Sequence, residues 1–297
     1  MSITKTGMFS IVGRPNVGKS TLLNALAGQK IAITSDKPQT TRNRISAIVN
    51  KDETQYIFMD TPGFHKPRTV LGDFMVKVVE ESVVDTDAVI LVVEPREAGT
   101  QEEILLNNIE ASGVPCILVI NKIDTLETKE ELLAVINDYA SRFDFHAVIP
   151  ISARTKEGIS ILTDELDALT IESDALYPED MVSDQPERVI MAEIIREKAL
   201  RLLDREVPHG IAVEIEHMEE RPTGTIEVSA VVYVEKDTHK GIVIGKNGAM
   251  LKKIGEQSRI DMEKLFGTKV FLQLWIKVKE GWRNNRYFMR NFGYEQN

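Results

Sequence analysis

Eight residues near the start of the chain, Gly13, Arg14, Pro15, Asn16, Val17, Gly18, Lys19 and Ser20, have the spacing G-x-x-x-x-G-K-[ST], and Thr21 follows them. The two glycines let a loop curl until successive backbone N–H groups point inward, which makes a cradle for an oligophosphate. Lys19 adds a positive charge for the terminal phosphates, and the Ser20 hydroxyl is a candidate ligand for Mg²⁺. An apolar run, Met8–Val12, leads into the loop and a helical pattern, Ser20–Leu26, leads out of it. The positive end of that helix's dipole points at the same place.

Three more clusters suit the same chemistry. Asp60-Thr61-Pro62-Gly63 directly follows the apolar Tyr56–Met59. A carboxylate there can hold Mg²⁺ through water, and the Gly63 N–H can meet a γ-phosphate. Asn121-Lys122-Ile123-Asp124 directly follows Cys116–Ile120. The Asp124 carboxylate can accept both N–H groups on the guanine edge, whereas adenine offers no such pair and would leave a polar site unpaired. Asn121 can brace the loop and reach the base, and the Lys122 stem can cover the ring. Ile151-Ser152-Ala153 follows the next strand, where the Ala153 N–H could donate to guanine O6. Guanine nucleotide, GTP or GDP with Mg²⁺, is therefore the expected ligand.

These clusters need a sheet whose strands end together. Apolar runs at Met8–Val12, Tyr56–Met59, Ala88–Val93, Val114–Ile120 and Ala147–Ile151 alternate with helical patterns near Ser20–Leu26, Val70–Ser82, Gln101–Ala111, Lys129–Ser141 and Ile159–Leu169. That alternation predicts an α/β domain with a mostly parallel sheet covered on both faces. Each motif lies at the C-terminal end of a strand, where open α/β sheets bind ligands. The acidic stretch 172–186, with Pro178 and Pro186, reads as a linker. It divides a first domain, 1–171, from a second, 187–297. The second domain follows the order helix, strand, strand, helix, helix, strand.

The chain has 297 residues, a formal net charge of −10 and one cysteine, Cys116, in the apolar run V-P-C-I-L-V-I. One cysteine excludes an intramolecular disulfide and suits a reducing compartment. No apolar run approaches the ~18 residues of a membrane span, and the start of the chain has no signal-peptide pattern. A cytoplasmic monomer is expected. The negative charge is unevenly placed. Residues 1–180 hold 17 Lys and Arg against 28 Asp and Glu, and residues 240–290 hold 12 against 4. A basic segment on an acidic chain points to a local polyanion partner.

That segment opens with Gly241-Ile-Val-Ile-Gly245-Lys246-Asn247-Gly248, a G-x-x-G turn between two helical patterns, with Lys252 and Lys253 on the second helix. Two glycines permit a turn whose backbone can approach a sugar–phosphate chain. The tail, residues 281–294, interleaves Arg283, Arg286 and Arg290 with Trp282, Tyr287 and Phe288. Those aromatics can stack on bases or pack on the domain's own core, and the sequence leaves both open.

The first four motifs resemble those of translation-factor-class P-loop GTPases, over residues 7 to about 170. In relatives with a T-T-R sequence the second threonine closes on Mg²⁺, so of Thr40 and Thr41 in P-Q-T-T-R-N-R the resemblance implies Thr41. It assigns catalysis to Lys19, Thr41, Asp60 and Gly63, and metal binding to Ser20, Thr41 and Asp60. The chain departs from many GTPases at Phe64, where a water-orienting glutamine is usual. Help must then come from His65, the loop before Asp60, a partner or a cation. Asn16 matches the P-loop asparagine that helps bind K⁺ in relatives lacking that glutamine. The G-x-x-G segment is similar to a type II KH domain, whose loop clamps single-stranded nucleic acid. A GTPase domain, a KH domain, D-T-P-G-F-H-K-P and a basic tail together resemble the Era family of bacterial GTPases. That resemblance implies binding to the 3′ end of small-subunit ribosomal RNA during 30S assembly and peripheral association with the inner membrane face. It implies RNA contacts at Gly245, Lys246, Asn247, Gly248, Lys252, Lys253, Arg283 and Arg286. Two rivals are a KH-like domain that binds a protein or membrane partner and a scaffold that binds GTP without hydrolysing it.

Overall fold

The computed structural model describes residues 2–84 and 86–294. The chain divides into two compact units. The first holds the chain up to Thr34, Thr41–Pro67 and Gly72–Asp184, and the second holds Ser35–Thr40, Arg68–Leu71 and the chain from Gln185.

In the first unit, β1 (Lys5–Val12), β2 (Ile45–Lys51), β3 (Thr54–Asp60), β4 (Ala88–Val93), β5 (Cys116–Ile120) and β6 (Ala147–Pro150) lie in the order β2-β3-β1-β4-β5-β6. Only β2 in that series runs antiparallel to its neighbour, and a two-residue strand, β7 (Ile171–Glu172), pairs antiparallel with β1. The parallel register sets Ile11 beside Asp60 and Val93 beside Ile120. The ends of β1 and β3 therefore meet at the place where strand order reverses, the usual ligand crevice of such sheets.

Helices α1 (Lys19–Ala27), α2 (Val70–Val84), α3 (Thr100–Ser112), α4 (Lys129–Ala140) and α5 (Ile159–Asp167) connect the strands. All six residues of β4 are buried because the strand is covered on both sides. Ile90 and Val92 pack with Leu22, Leu23, Leu162 and Leu166, whereas Val89, Leu91 and Val93 pack with Leu105, Ile109 and Tyr139.

Two features differ from the sequence reading. The segment I-S-A-I-V-N-K is a strand, β2, that reading by apolar runs passed over because its last three residues are progressively more exposed. Residues 176–183, within the stretch read as linker, lie along β2 and β3. Gln55 Oε1 accepts from the Leu176 and Tyr177 N–H groups at 2.9 Å each, and the Ile48 N–H donates to the Val182 carbonyl at 3.0 Å.

The second unit contains α6 (Glu187–Leu202), β8 (Ala212–Glu220), β9 (Ile226–Val234), α7 (Asp237–Ile244), α8 (Ala249–Phe266), β10 (Val270–Val278) and α9 (Arg286–Asn291). Its sheet has the order β10-β9-β8, with β9 and β10 parallel. Val228, Ala230, Val232 and Val234 form the helix-covered face, packed with Ile195, Ala199, Ile254 and Met262. Among the described residues, no helix is long and apolar enough to cross a membrane.

Leu91 is fully buried at the centre of the larger sheet. Leu91→Ala should destabilise the first unit by about 3 kcal/mol, read as a lower urea midpoint in the transition reported by α/β far-UV signal.

Candidate functional site

The phosphate loop follows directly from how β1 ends and α1 begins. Gly18 is the residue before α1, with φ +100°, and a Cβ there would stand 2.3 Å from Asn121 Nδ2. No other residue can occupy that position without displacing the asparagine. Asn121 itself, buried, donates from Nδ2 to the Val17 carbonyl at 2.8 Å and accepts the Ala153 N–H on Oδ1 at 3.0 Å. The loop for phosphates and the loops for the base are thus tied through one side chain.

Lys19 is buried and its ammonium donates to the Gly13 carbonyl at 3.1 Å and the Arg14 carbonyl at 3.0 Å. Burial pushes its pKa down to about 8, and the Asp60 carboxylate pulls against that shift. The Gly13 carbonyl also accepts the Phe64 N–H at 3.0 Å, and Gly63 lies against Pro15 so closely that a Cβ would meet its Cα at 2.6 Å. Thr61 is buried and donates to the Ile11 carbonyl at 2.8 Å. These contacts fix the D-T-P-G turn against the phosphate loop. Thr21 lies half-buried in the first turn of α1.

Ser20, Thr41 and Asp60 converge. Ser20 Oγ donates to Asp60 Oδ2 at 2.6 Å and lies 3.0 Å from Thr41 Oγ1, which donates to the same carboxylate oxygen at 3.3 Å. The neighbouring Thr40 hydroxyl points elsewhere, to the Lys37 carbonyl at 2.6 Å. Asp60 is fully buried, and its other oxygen, Oδ1, has no hydrogen-bond partner. Burial pushes its carboxyl pKa up, opposed by Lys19 and by the hydrogen bonds from Ser20 and Thr41. Two hydroxyls and a carboxylate form a hard-oxygen donor set, and an unpartnered buried oxygen is what a divalent cation satisfies. The residues fit Mg²⁺.

On the base side, Asp124 accepts from Ser152 Oγ on Oδ1 at 2.5 Å and pairs through Oδ2 with Arg154 at 2.5 Å. Ser152 is therefore the group that orients Asp124. Arg154 was not singled out from sequence, because an exposed arginine just past I-S-A has no periodicity or spacing to mark it. Its guanidinium holds the edge of the carboxylate that a base would use. The Ala153 N–H, expected to face guanine O6, donates instead to Asn121. Lys122 adopts a left-handed backbone, φ +67°, and its ammonium bonds the Asn16 carbonyl at 2.6 Å and Glu94 at 2.5 Å. Glu94 was also missed; it closes the bridge between the base loop and the phosphate loop.

Phe64 is buried in the apolar layer, and His65 Nδ1 is 2.9 Å from the Gly63 carbonyl. Asn16 is exposed on the phosphate loop with φ +66°.

In the second unit, α7 and α8 are joined by a one-turn link, Lys246–Gly248. Gly245 has φ +71°, and a Cβ there would meet Met250 Cβ at 2.7 Å, so the turn requires glycine. Lys246, Asn247, Lys252 and Lys253 are all exposed on or beside it. Of the tail residues, Trp282 is fully buried; its indole N–H donates to the Gly210 carbonyl at 2.9 Å and its ring meets Phe292 edge-on at 5.4 Å. That settles the alternative for Trp282 in favour of the core. Arg283 is paired with Glu235 at 2.6 Å, which also absorbs much of its charge. Tyr287 and Arg286 are exposed.

Comparison with known proteins matches this geometry to two family descriptions: a 50S ribosome-binding GTPase over residues 8–122 and a KH domain over residues 206–283. GTPase Era of Ruminiclostridium cellulolyticum is 48% identical over 294 residues, covering 99% of this chain and 98% of that protein. GTPase Era of Clostridioides difficile is 49% identical over 292 residues, covering 98% of each. The chain belongs to the Era family of GTPases. Among solved structures, Era in complex with MgGDPNP and nucleotides 1506-1542 of 16S ribosomal RNA superposes with a TM-score of 0.95 at 36% identity, covering 99% of this chain and 100% of that one. A variant of Aquifex aeolicus Era bound to GDP and AlF4⁻ gives 0.95 at 37% identity, over 98% and 100%.

The Ser152-braced carboxylate generates a direct test. Asp124→Asn should lower affinity for GTP by at least about tenfold and turn the preference toward xanthosine triphosphate, whose C2 oxygen accepts from the new amide. Competition of both nucleotides against a fluorescent guanine nucleotide measures this, and an unchanged preference removes Asp124 from base recognition.

Proposed function

We propose that this protein binds GTP and GDP in the first unit, hydrolyses GTP, and holds the 3′ end of small-subunit ribosomal RNA on the second unit during 30S assembly. The observation that carries the nucleotide half is the convergence of Ser20, Thr41 and the half-satisfied Asp60 beside a buried Lys19. The Era–RNA complex, with which this chain shares its whole length, supports the RNA half. Cytoplasmic action belongs to this reading, and so does the peripheral contact with the inner membrane face that the family resemblance implies.

Each residue's part follows from its position. Inward N–H groups of Gly13–Ser20 and the Lys19 ammonium bind the β- and γ-phosphates, and Lys19 gains an anionic partner that opposes its burial penalty. Ser20, Thr41 and Asp60 would hold Mg²⁺, which neutralises charge on the phosphate oxygens when bound. Thr41 reaches that centre only while its loop is closed, so its hydroxyl makes the closed loop depend on the nucleotide state. The Gly63 N–H meets the γ-phosphate. Phe64 has no polar atom to orient the attacking water, which makes unaided hydrolysis slow. Asn16 is exposed on the phosphate loop, and its residue type there supports K⁺ as the charge that helps in place of a glutamine. On the base side, Asp124 takes the two guanine N–H groups, Lys122 covers the ring, and Asn121 locks the three loops. Turnover in K⁺ should exceed turnover in Na⁺ at equal ionic strength, and equal rates would remove K⁺ from the reading.

On the second unit, the Gly245–Gly248 turn approaches the RNA backbone while Lys246, Lys252 and Lys253 neutralise phosphates. A Cβ at Gly248 would meet nothing within 4 Å, and aspartate tolerates its left-handed φ of +80° better than most residues. Gly248→Asp should therefore fold, weaken binding to a single-stranded ribosomal 3′-end oligonucleotide, and leave GTP turnover within about twofold, under ~0.5 kcal/mol in barrier. Filter binding and a GTPase assay on one preparation test it. Unchanged RNA affinity in the folded variant would assign this unit to a protein partner.

A further inference from the structure

Ser35–Thr40 is part of the second compact unit, and Thr41, whose hydroxyl reaches Ser20 and Asp60, begins the next stretch of the first. Within the second unit that segment meets Arg196, on α6. Arg196 is fully buried, and each nitrogen of its guanidinium has an oxygen in reach. Nε donates to Glu193 Oε1 at 2.8 Å and Nη2 to Glu193 Oε2 at 2.5 Å. This fork neutralises the buried charge and fixes the plane of the guanidinium. What remains faces backbone: Nη2 also donates to the Thr40 carbonyl, and Nη1 lies 3.5 Å from the Gln39 carbonyl.

The loop is shaped to meet it. Gln39 has a left-handed φ of +60°, uncommon for any residue but glycine, and the chain bends there so that two successive carbonyls turn toward one guanidinium. The Thr40 hydroxyl closes the segment on itself by donating to the Lys37 carbonyl at 2.6 Å, and the Lys37 N–H donates to Ser35 Oγ at 3.1 Å. A second tie, Lys37 to Asp204 at 3.0 Å, is of a different order. The Asp204 side chain is 85% exposed, and an ion pair so open to water contributes little. The Arg196 bond is buried, and breaking it strands a charged donor away from water, which costs far more. The segment is therefore held at Thr40, one residue before the hydroxyl that meets Asp60.

We propose that Arg196 is a positioning residue for GTP hydrolysis: by holding the Thr40 carbonyl it places the Thr41 hydroxyl at Ser20 and Asp60, which rests on Thr41 being the Mg²⁺ ligand of the function proposed above. Arg196 touches neither nucleotide nor metal and acts only where Thr41 acts. Because Thr41 joins the metal centre in the closed, triphosphate-bound loop, Arg196 matters for GTP and not for GDP. A residue that only packs α6 would change the affinity of both nucleotides alike, or of neither.

The test uses the full-length protein with Mg²⁺, a fluorescent non-hydrolysable GTP analogue and fluorescent GDP. Arg196→Met keeps an unbranched side chain and removes its donors, and the Glu193 side chain, 18% exposed, can turn to water. Analogue affinity and kcat for GTP should each fall about tenfold, the loss of one buried charge-assisted hydrogen bond. GDP affinity should stay within about twofold. Arg196→Lys keeps a donor but not the fork and should fall between, and Asp204→Ala should change nothing. Thr41→Ala is the cross-check: its effect should shrink to within about twofold in the Arg196→Met background, because both act through one hydroxyl. Equal analogue affinity in the wild type and in folded Arg196→Met overturns the proposal, and so do Arg196 and Thr41 losses that multiply in full. If Thr41→Ala alone changes nothing, the Mg²⁺ role of Thr41 fails and that of Arg196 falls with it. Where Arg196→Met does not fold, Glu193→Gln, which loosens the fork at a part-exposed carboxylate, carries the same comparison.

Discussion

A carboxylate enclosed at the end of a strand must have partners, and Asp60 has been given only half of them. Ser20 and Thr41 satisfy one oxygen, and burial works against the charge that the other oxygen needs. The rest of the first unit is arranged around this deficit. Register places Asp60 next to Ile11, so the strand that feeds the phosphate loop also carries the acid. Lys19 stands close enough to pull on its titration. The site is therefore strained toward accepting a cation and an oligophosphate together, because each relieves the unfavourable burial of one of its two charged groups.

The same economy governs the base side. Asn121 uses both ends of its amide on backbone, and the cost of moving it would be felt in the Val17 and Ala153 loops at once. Lys122 adds a second tie from Glu94 to Asn16. The loop expected to meet guanine and the loop expected to grip phosphate thus share one connected set of hydrogen bonds, held at the ends of strands that the apolar layers keep in register. The second unit is built differently: its G-x-x-G turn is exposed, and its core is closed by the buried Trp282 and the helix-covered face of the sheet.

The sequence carried most of this where chemistry demands a residue type at a spacing. The phosphate loop, D-T-P-G, N-K-I-D and G-x-x-G are short-range patterns, and β4, an unbroken apolar run, was readable to the residue. β2 was not, because a strand buried for four residues and then exposed looks like neither alternation nor a buried run. β7 has two residues and no pattern at all. Gln55 could not be recognised as the anchor of residues 176–177, since any backbone can supply its partners. Trp282 was ambiguous between base stacking and core until the Gly210 carbonyl appeared as its acceptor. Arg154 and Glu94 act through pairings that only the folded loops create.

Cys116 begins β5, between β4 and β6; it is buried, and desolvation pushes its thiol up to about 12. A thiol in that condition is inert to alkylation at neutral pH, because the thiolate is the reacting species. As the sole cysteine, it turns the parallel sheet into its own chemical clock. Where reclosing outpaces reaction, labelling by a small maleimide follows the small fraction of molecules in which Cys116 is exposed, and so reports the free energy of that opening in intact protein. A ligand bound across the strand ends slows that clock by the factor its affinity dictates.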